Sequence, residues 1–523
     1  MKAESGLSRD LVLVGGGHAH ALVLRNFAMR PVQGLRITLV SPASHTPYSG
    51  MLPGLVAGHY SFEETHIDLE RLCAWASVRF VCAEVTALDP QARRLTLAGR
   101  PPIDYDLLSL DVGSQPDMDS VPGAREHAVP VKPVASLWQR WRSLESEVDS
   151  GTRVAVVGGG AGSVELVLAM AHRLAGRGVA FDLYCGAETI LKGYNRRARG
   201  AVERALAAHD IGLHCHRRVE SVAAGTMQFA DGRSADFDQL FWCTAAAAAP
   251  WLAGSGLATD EQGFLAVRDT LQSLGDDRVF AAGDCATQVN HPRPKAGVFA
   301  VRQGPVLADN LRAWLQELAP KPYRPQHRFL SLLSLGDKQA TADRGPFSAT
   351  GGWVWRWKDR IDREFMARFS DLPPMAEPRD TDRLTAADRD GQPHCGGCGA
   401  KLGADSLART LAQLSELYPD HARASEPGDD AARLQVSGGL VLQSVDSLRA
   451  LVADPWVMGR IAANHALSDL YACGARPVSA LAMVTLPFAS EELLSRDLRQ
   501  VLAGALDTLA KADCPLQGGH SMQ

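Results

Sequence analysis

A chain of 523 residues is too long for one ordinary hydrophobic core, and a prior of roughly 150 residues per domain implies three or four units. With 46% hydrophobic and 22% charged residues it has the composition of a soluble globular protein, and a net charge of −5 excludes a broad attraction to nucleic acid. Ten scattered cysteines, only Cys395 and Cys398 at C-x-x-C spacing, exclude a disulfide scaffold, and no apolar stretch is long enough to span a bilayer. The opening MKAESGLSRD lacks the basic flank and apolar run of a secretory signal, so a cytoplasmic location is expected.

The first element is an apolar strand running into three glycines and an apolar helix, LVLVGGGHAHALVL at 11–24. In such a turn Gly15 takes unusual dihedrals and Gly17 lets the backbone approach a pyrophosphate, which the free N–H groups of the helix start then face. The third glycine position holds His20, and the acid expected after the second strand is Ser41. The same plan recurs in VAVVGGGAGSVELVLAM at 154–170, with Gly158, Gly160, Ser163 in the third small position and Glu165 two residues on. The strand after it ends in Cys185 rather than an acid, which leaves NADH against NADPH undecided. A third element, VFAAGDCA at 279–286, places Gly283 and Asp284 at a strand end.

Further on, GGWVWRWKDRIDREFMARF at 351–369 sets Trp353, Trp357, Ile361, Phe365 and Phe369 at four-residue intervals, one apolar stripe on a helix. Residues 371–393 combine prolines with many charges and no apolar period, the composition of a linker. Beyond it the pattern predicts a helix over 399–418, a strand over 436–446, a helix over 457–473 and a strand over 478–487.

The segment His394-Cys395-Gly-Gly-Cys398-Gly-Ala-Lys401 places a thiol and an amine three residues apart, where a cation can activate a thiolate; half of a zinc site is the alternative. Asp429-Asp430, Asp446 and Asp469 follow beside small or apolar residues, a set of hard oxygen ligands suited to Mg²⁺ on ATP phosphates and so to phosphoryl transfer.

The order GGG, GGG, AAGD over residues 11 to about 315 resembles the pyridine nucleotide-disulfide oxidoreductase superfamily, in which an NAD(P)H unit is inserted into an FAD unit. Within it the stretches 41–60 and 295–311 are similar to type II NADH dehydrogenases, and no C-x-x-C precedes residue 395. The resemblance implies electron flow from NAD(P)H through FAD to an acceptor, a quinone or a selenium or sulfur species. It makes Gly15, Gly17, Gly158, Gly160, Glu165, Gly283, Asp284 and Gln303 the cofactor-binding candidates, with Lys295 a further candidate near the flavin or acceptor. Type II dehydrogenases attach to membranes through their C-terminal region, and Arg356, Lys358 and Arg360 beside the tryptophans suit an interfacial helix, so contact with the inner face of the membrane is a further expectation.

CGGCGAKLG (395–403), DDAA (429–432), the run 444–487 and GGHSM (518–522) together resemble selenophosphate synthetase, the selenide, water dikinase family. That resemblance implies that Cys398 handles selenium, that Lys401 assists at the phosphates, and that Asp430, Asp446 and Asp469 hold Mg²⁺-ATP. Ala400 stands where the family often has a second Cys, and His465 where it has Asn. The family's domain continues well past its GGHS motif, so a fragment of a longer product is expected.

The expected fold class is α/β: two nested Rossmann-like FAD and NAD(P)H domains, then the N-terminal part of a selenophosphate-synthetase-like ATP-binding domain. The expected division is 1–115 and 251–370 for the FAD unit, 116–250 for the NAD(P)H unit, 371–393 for the linker and 394–523 for the ATP unit. The expected partners are small molecules (selenide, ATP and the electron acceptor), with homodimerisation left open. In a second reading only the oxidoreductase is active and the C-terminal segment is a docking or dimerisation module. A zinc-bound redox sensor at Cys395 and Cys398 is a third.

Overall fold

The computed structural model of the protein describes residues 7–244, 246–373 and 432–522. β1 (Arg9–Val14) is buried from its second residue on, the near-continuous apolar run that a parallel strand covered on both faces requires. It feeds α1 (His18–Met29), which buries Ala19, Ala21, Val23, Leu24 and Phe27 and returns the chain to β2 (Leu35–Ser41), parallel to β1. β3 (Arg79–Cys82) extends the sheet beyond β2. After β4 (Arg100–Asp104), part of a small antiparallel sheet, β5 (Leu107–Leu110) pairs with the other side of β1.

The chain then leaves this sheet and builds a second. β6 (Val129–Pro130) and β7 (Arg153–Val157) precede α2 (Ala161–Arg173), and β8 (Ala180–Tyr184), β9 (Ile211–His214) and β10 (Gln239–Trp242) complete a parallel sheet of order β6-β10-β7-β8-β9. Only then does β11 (Val279–Ala281) return to pair with β5, giving the first sheet the order β11-β5-β1-β2-β3. One unit is thus threaded into the other, as the resemblance to nested FAD and NAD(P)H units implies.

α3 (Gly297–Leu315) packs closely on α1: a Cβ at Gly304 would sit 2.8 Å from Leu22 and 3.2 Å from the Ala19 carbonyl oxygen. A three-stranded antiparallel sheet of β12 (Ser331–Ser334), β13 (Ala340–Arg344) and β14 (Phe347–Gly351) leads into α4 (Gly352–Ser370). Three large apolar clusters follow this plan. One packs α2 and its sheet, one packs α1 and α3 with Phe365 and Phe369 of α4, and one fills the opposite face of the first sheet.

In the C-terminal part β15 (Ala432–Val436) and β16 (Gly439–Gln443) form a hairpin, so the strand predicted over 436–446 starts later, after a turn in which Gly438 has φ +105°. α5 (Pro455–Ala472) begins at Asp454, whose carboxylate accepts from the N–H groups of Trp456 and Val457. β17 (Ala480–Thr485) is parallel to β18 (Leu516–Met522), and α6 (Glu491–Lys511) lies between them in sequence. α5 and α6 cross in backbone contact, because a Cβ at Gly459 or Gly504 would meet a carbonyl oxygen at 2.0 or 1.9 Å. The predicted helix over 399–418 and the linker beyond residue 373 lie outside the described residues. Among the described residues no helix is long and apolar enough to cross a membrane.

Candidate nucleotide and acid sites

The first glycine turn sits at the carboxyl ends of β1 and β5. Gly15 has φ +92°, and a Cβ there would be 2.4 Å from the Asp111 carbonyl oxygen, so this position admits only glycine. The Asp111 side chain reaches under the start of α1, where its carboxylate accepts from the N–H groups of Ala19 (2.9 Å) and His20 (3.1 Å). The same carboxylate lies 2.2 Å from a Cβ built on Gly17 and 2.4 Å from one on Gly283. Glycine at 17 and 283 is therefore demanded by Asp111 as well as by any approaching ligand. Burial pushes Asp111 up to about 7, with the Asp284 carboxylate adding to the rise and the two amides opposing it.

His20, standing where a third glycine is usual, is fully buried. Its Nδ1 donates to the Gly15 carbonyl oxygen (2.7 Å) and its Nε2 accepts from the Ser109 hydroxyl (2.8 Å), tying the turn to β5. Burial lowers it to about 4, so the ring is neutral near pH 7. Ser41, in the place of the ribose acid, donates to the Ala43 carbonyl oxygen.

Gly283 and Asp284 follow β11 and face the same space. The Gln303 Oε1 accepts from the Gly283 N–H at 2.7 Å, and Asp284 accepts from Ser114 (3.2 Å) and Lys132 (3.1 Å). The ring of His18 lies edge-on to Tyr48 and Phe365 and is lowered to about 4 by burial. The structure thus brings Gly15, Gly17, Gly283, Asp284 and Gln303 together, and adds Asp111, Ser114, Lys132 and His18, which the sequence reading did not single out. A lone acid just past a strand, as Asp111 is past β5, carries no signal in the sequence. Lys295 is spent internally: its Nζ donates to the Ala286 carbonyl oxygen and the Thr287 hydroxyl and lies 3.8 Å from the centre of the Phe264 ring. The Cys285 thiol is fully buried and pushed up to about 12, as an inert packing residue should be.

The second turn repeats the geometry at the end of β7. Gly158 has φ +145°, with its Cβ position 2.3 Å from the Cys243 carbonyl oxygen, while a Cβ on Gly160 would meet nothing within 4 Å. The space above Gly160 is open to a ligand, and Ser163 closes the first helical turn by donating to the Gly160 carbonyl oxygen. Glu165 points to the seam with the β12–β14 sheet, where it accepts from the Ser334 N–H at 2.8 Å. Burial pushes it up to about 7 against the pull of Lys358. Lys358 itself donates to Asp362 (2.6 Å) and to the Gly50 carbonyl oxygen, and Asp362 also accepts from the Tyr48 hydroxyl (3.1 Å).

The acids of the C-terminal part fall in two classes. Asp469, on α5, accepts from Ser444 just beyond β16 (3.1 Å), and His465, one turn earlier on α5, lies 3.7 Å from Asp446. Asp446 and Asp469 are therefore gathered at the junction of β16 and α5. Cys398, Lys401 and Asp430, with His394, Cys395 and Asp429, lie outside the described residues.

Compared with known proteins, residues 9–304 match the family described as pyridine nucleotide-disulphide oxidoreductase, and residues 428–523 match the AIR synthase related protein, N-terminal domain. The C-terminal part is 42% identical over 132 residues to the selenide, water dikinase of Myxococcus xanthus (strain DK1622), covering 25% of this chain and 37% of that protein. It is 36% identical over 154 residues to that of Burkholderia ambifaria (strain MC40-6), covering 29% and 40%. The chain therefore spans about two fifths of the length of these curated relatives. The fold of the N-terminal part is similar to the sulfide:quinone oxidoreductase of Aquifex aeolicus, with TM-score 0.57 and 17% identity over 70% of this chain and 92% of that one. It is also similar to NDH2 from Plasmodium falciparum in complex with NADH, with TM-score 0.58 and 14% identity over 70% and 99%.

Proposed function

Because this chain belongs to the pyridine nucleotide-disulphide oxidoreductase family and carries an AIR synthase related N-terminal domain behind it, we propose that it couples two catalysts in one polypeptide. The first is an FAD-dependent NAD(P)H oxidoreductase that reduces a quinone or an oxidised selenium or sulfur species. The second is the nucleotide-binding part of an ATP-dependent selenide, water dikinase. The observation that carries the first reading is the convergence of Gly15, Gly17, Gly283 and Asp284 on one space at the carboxyl ends of β1, β5 and β11, where a parallel sheet receives its ligand. We divide the chain at 1–115, 116–250, 251–370, 371–393 and 394–523.

The residues present fit the cofactors. The glycine turn ahead of α1 offers its remaining amides to a pyrophosphate, those of Ala19 and His20 being taken by Asp111, while Asp284 is oriented by Ser114 and Lys132 toward a polyol chain and the Gln303 side chain fixes the Gly283 amide. The open space above Gly160 suits the pyrophosphate of NAD(P)H. FAD, when bound, supplies the capacity to take a hydride from nicotinamide and pass electrons on; the protein's share is placement and electrostatics. Glu165, raised to about 7 at the domain seam, can hold or release a proton near neutral pH. On the second half, Asp446 and Asp469, with Asp430, would hold Mg²⁺-ATP, the ion neutralising phosphate charge. Cys398 and Lys401 would meet selenide and the phosphates.

The visible spectrum of the full chain before and after anaerobic NADH tests the first half: flavin bands bleached by NADH are expected, and a colourless protein overturns it. Selenide formed from NADH and an oxidised selenium compound would link the halves, whereas brisk quinone reduction without selenide would place the acceptor elsewhere. A second reading, in which the C-terminal part is a non-catalytic docking module, is favoured by the contact that α6 makes with the first domain. Calorimetric binding of Mg²⁺-ATP to the full chain separates the two.

A further inference from the structure

Where the C-terminal part meets the N-terminal body, the contact is built from charge. Asp10 and Arg36 are the second residues of β1 and β2, Arg79 is the first of β3, and Asp106 immediately precedes β5. These four groups line the N-terminal edge of one parallel sheet, and α6 lies across it. Arg496 donates to Asp106 (3.0 Å) and Asp10 (3.4 Å), and is steadied by Glu492 one turn back (2.5 Å). The next residue, Asp497, accepts from Arg36 (2.8 Å) and Arg79 (2.9 Å).

Two adjacent residues of opposite sign on α6 thus meet two acids and two arginines on the sheet edge, and a shift of one residue would set like charges against each other. Three flanking contacts complete the face. Arg499 reaches Asp104 (2.6 Å), Gln500 donates to the Pro102 carbonyl oxygen (2.8 Å), and Arg100 forks onto Asp454 (2.7 and 2.8 Å) with its guanidinium 4.8 Å from the centre of the Trp456 ring. The backbone joins too: the Ser490 N–H donates to the Leu7 carbonyl oxygen at 2.7 Å. Asp10, Arg36, Asp106, Asp454 and Arg496 are all buried, and charges out of water persist only when paired, so the network specifies one seating.

We propose that this edge is a dedicated docking surface whose partner is the α5–α6 pair of the same chain, and that it holds the two halves back to back. The flavin turn lies at the opposite end of the same strands, about 20 Å away for a six-residue strand. Asp469 lies 15 residues along α5 from the docked Asp454, about 22 Å at helical rise. A species leaving the flavin crevice therefore reaches the Asp446–Asp469 pair through solvent and not through a shared tunnel. The docking itself stands whichever reactions the halves catalyse.

Amide hydrogen exchange on the intact chain tests this. In low salt the Ser490 amide should be protected, and in Arg496→Glu/Asp497→Lys it should exchange on the order of a hundredfold faster, the loss expected when buried charge pairs are broken. Unchanged protection in that variant, or none in the parent chain, overturns the proposal. Should the double reversal fail to fold, the rim pair serves instead, because Arg499 is 40% exposed. Arg499→Glu, which sets a carboxylate against Asp104, should speed exchange at Ser490 measurably, and no change overturns it equally; Asp104 is kept because it also holds Arg94 (2.7 Å).

Discussion

At Asp111 a single carboxylate meets two glycine turns and the start of a helix, and its charge state bears on whatever anion binds there. Burial holds it near 7, far above an ordinary aspartate, so the folded protein binds a proton that the unfolded chain has lost. The sign follows from linkage: this group's contribution to stability is greatest below the unfolded value near 4 and falls as pH rises toward about 7. The titratable groups facing it are the Asp284 carboxylate and the neutral Cys285 thiol from the turn after β11, with neutral His20 and the α1 amides on the other side. A pyrophosphate at α1 raises it further, so FAD affinity should be flat below pH 7 and weaken above it by up to tenfold per pH unit. Asp111→Asn should remove that slope, as read by flavin fluorescence titration from pH 6 to 9; a slope unchanged in the variant would refute the assignment. The glycines around it were legible from spacing. Asp111 was not, because it lies more than ninety residues from Gly17 and only pairing of β1 with β5 brings it there.

On α4 the four-residue spacing misled in an instructive way. Four residues advance a helix by 400°, so each step drifts about 40° and five positions turn through roughly 160°. Phe365 and Phe369 are accordingly buried against the α1–α3 cluster, while Trp353, Trp357 and Ile361 are 54%, 41% and 38% exposed. Lys358, read as a basic flank for lipid, is instead buried with Asp362. Phe365→Ala should cost about 3–5 kcal/mol in chemical denaturation, the range for emptying a core aromatic site. Trp357→Ser should stay within about 0.5 kcal/mol. If the exposed tryptophans form a lipid-binding face, Trp353→Ser/Trp357→Ser should abolish co-sedimentation with anionic vesicles at low salt; equal binding by parent and variant would dismiss that face.

Across the whole molecule the parts differ in how much they bury. The nested sheets are closed by the three large apolar clusters and a fourth, smaller one on the other face of the second sheet, whereas in the C-terminal part Val478, Leu481, Met483 and Phe488 are more than 60% exposed. That part keeps its acid pair nonetheless, through Ser444 on Asp469 and His465 beside Asp446. If these acids hold Mg²⁺-ATP, Ser444→Ala should weaken Mg²⁺ affinity on the order of 10- to 100-fold, the usual effect of removing a group that orients a ligand. Calorimetry at fixed ATP would read it, and an unaltered Mg²⁺ dependence would set the acid pair aside.

Local order determined the parts that need only neighbours in sequence. Strand, glycine turn and helix are fixed within some fifteen residues, because the positive φ of Gly15 and Gly158 and the apolar runs of β1 and β7 are local demands. The order of the three motifs, through the resemblance it carries, likewise foretold one unit threaded into another. Tertiary structure alone decided which groups share a space: Asp111 under Gly17 and Gly283, Glu165 on the Ser334 amide, Arg496 between Asp10 and Asp106. Side-chain charges act over a few ångströms whatever their separation along the chain, so their pairing exists only once the sheets have closed and the helices have docked.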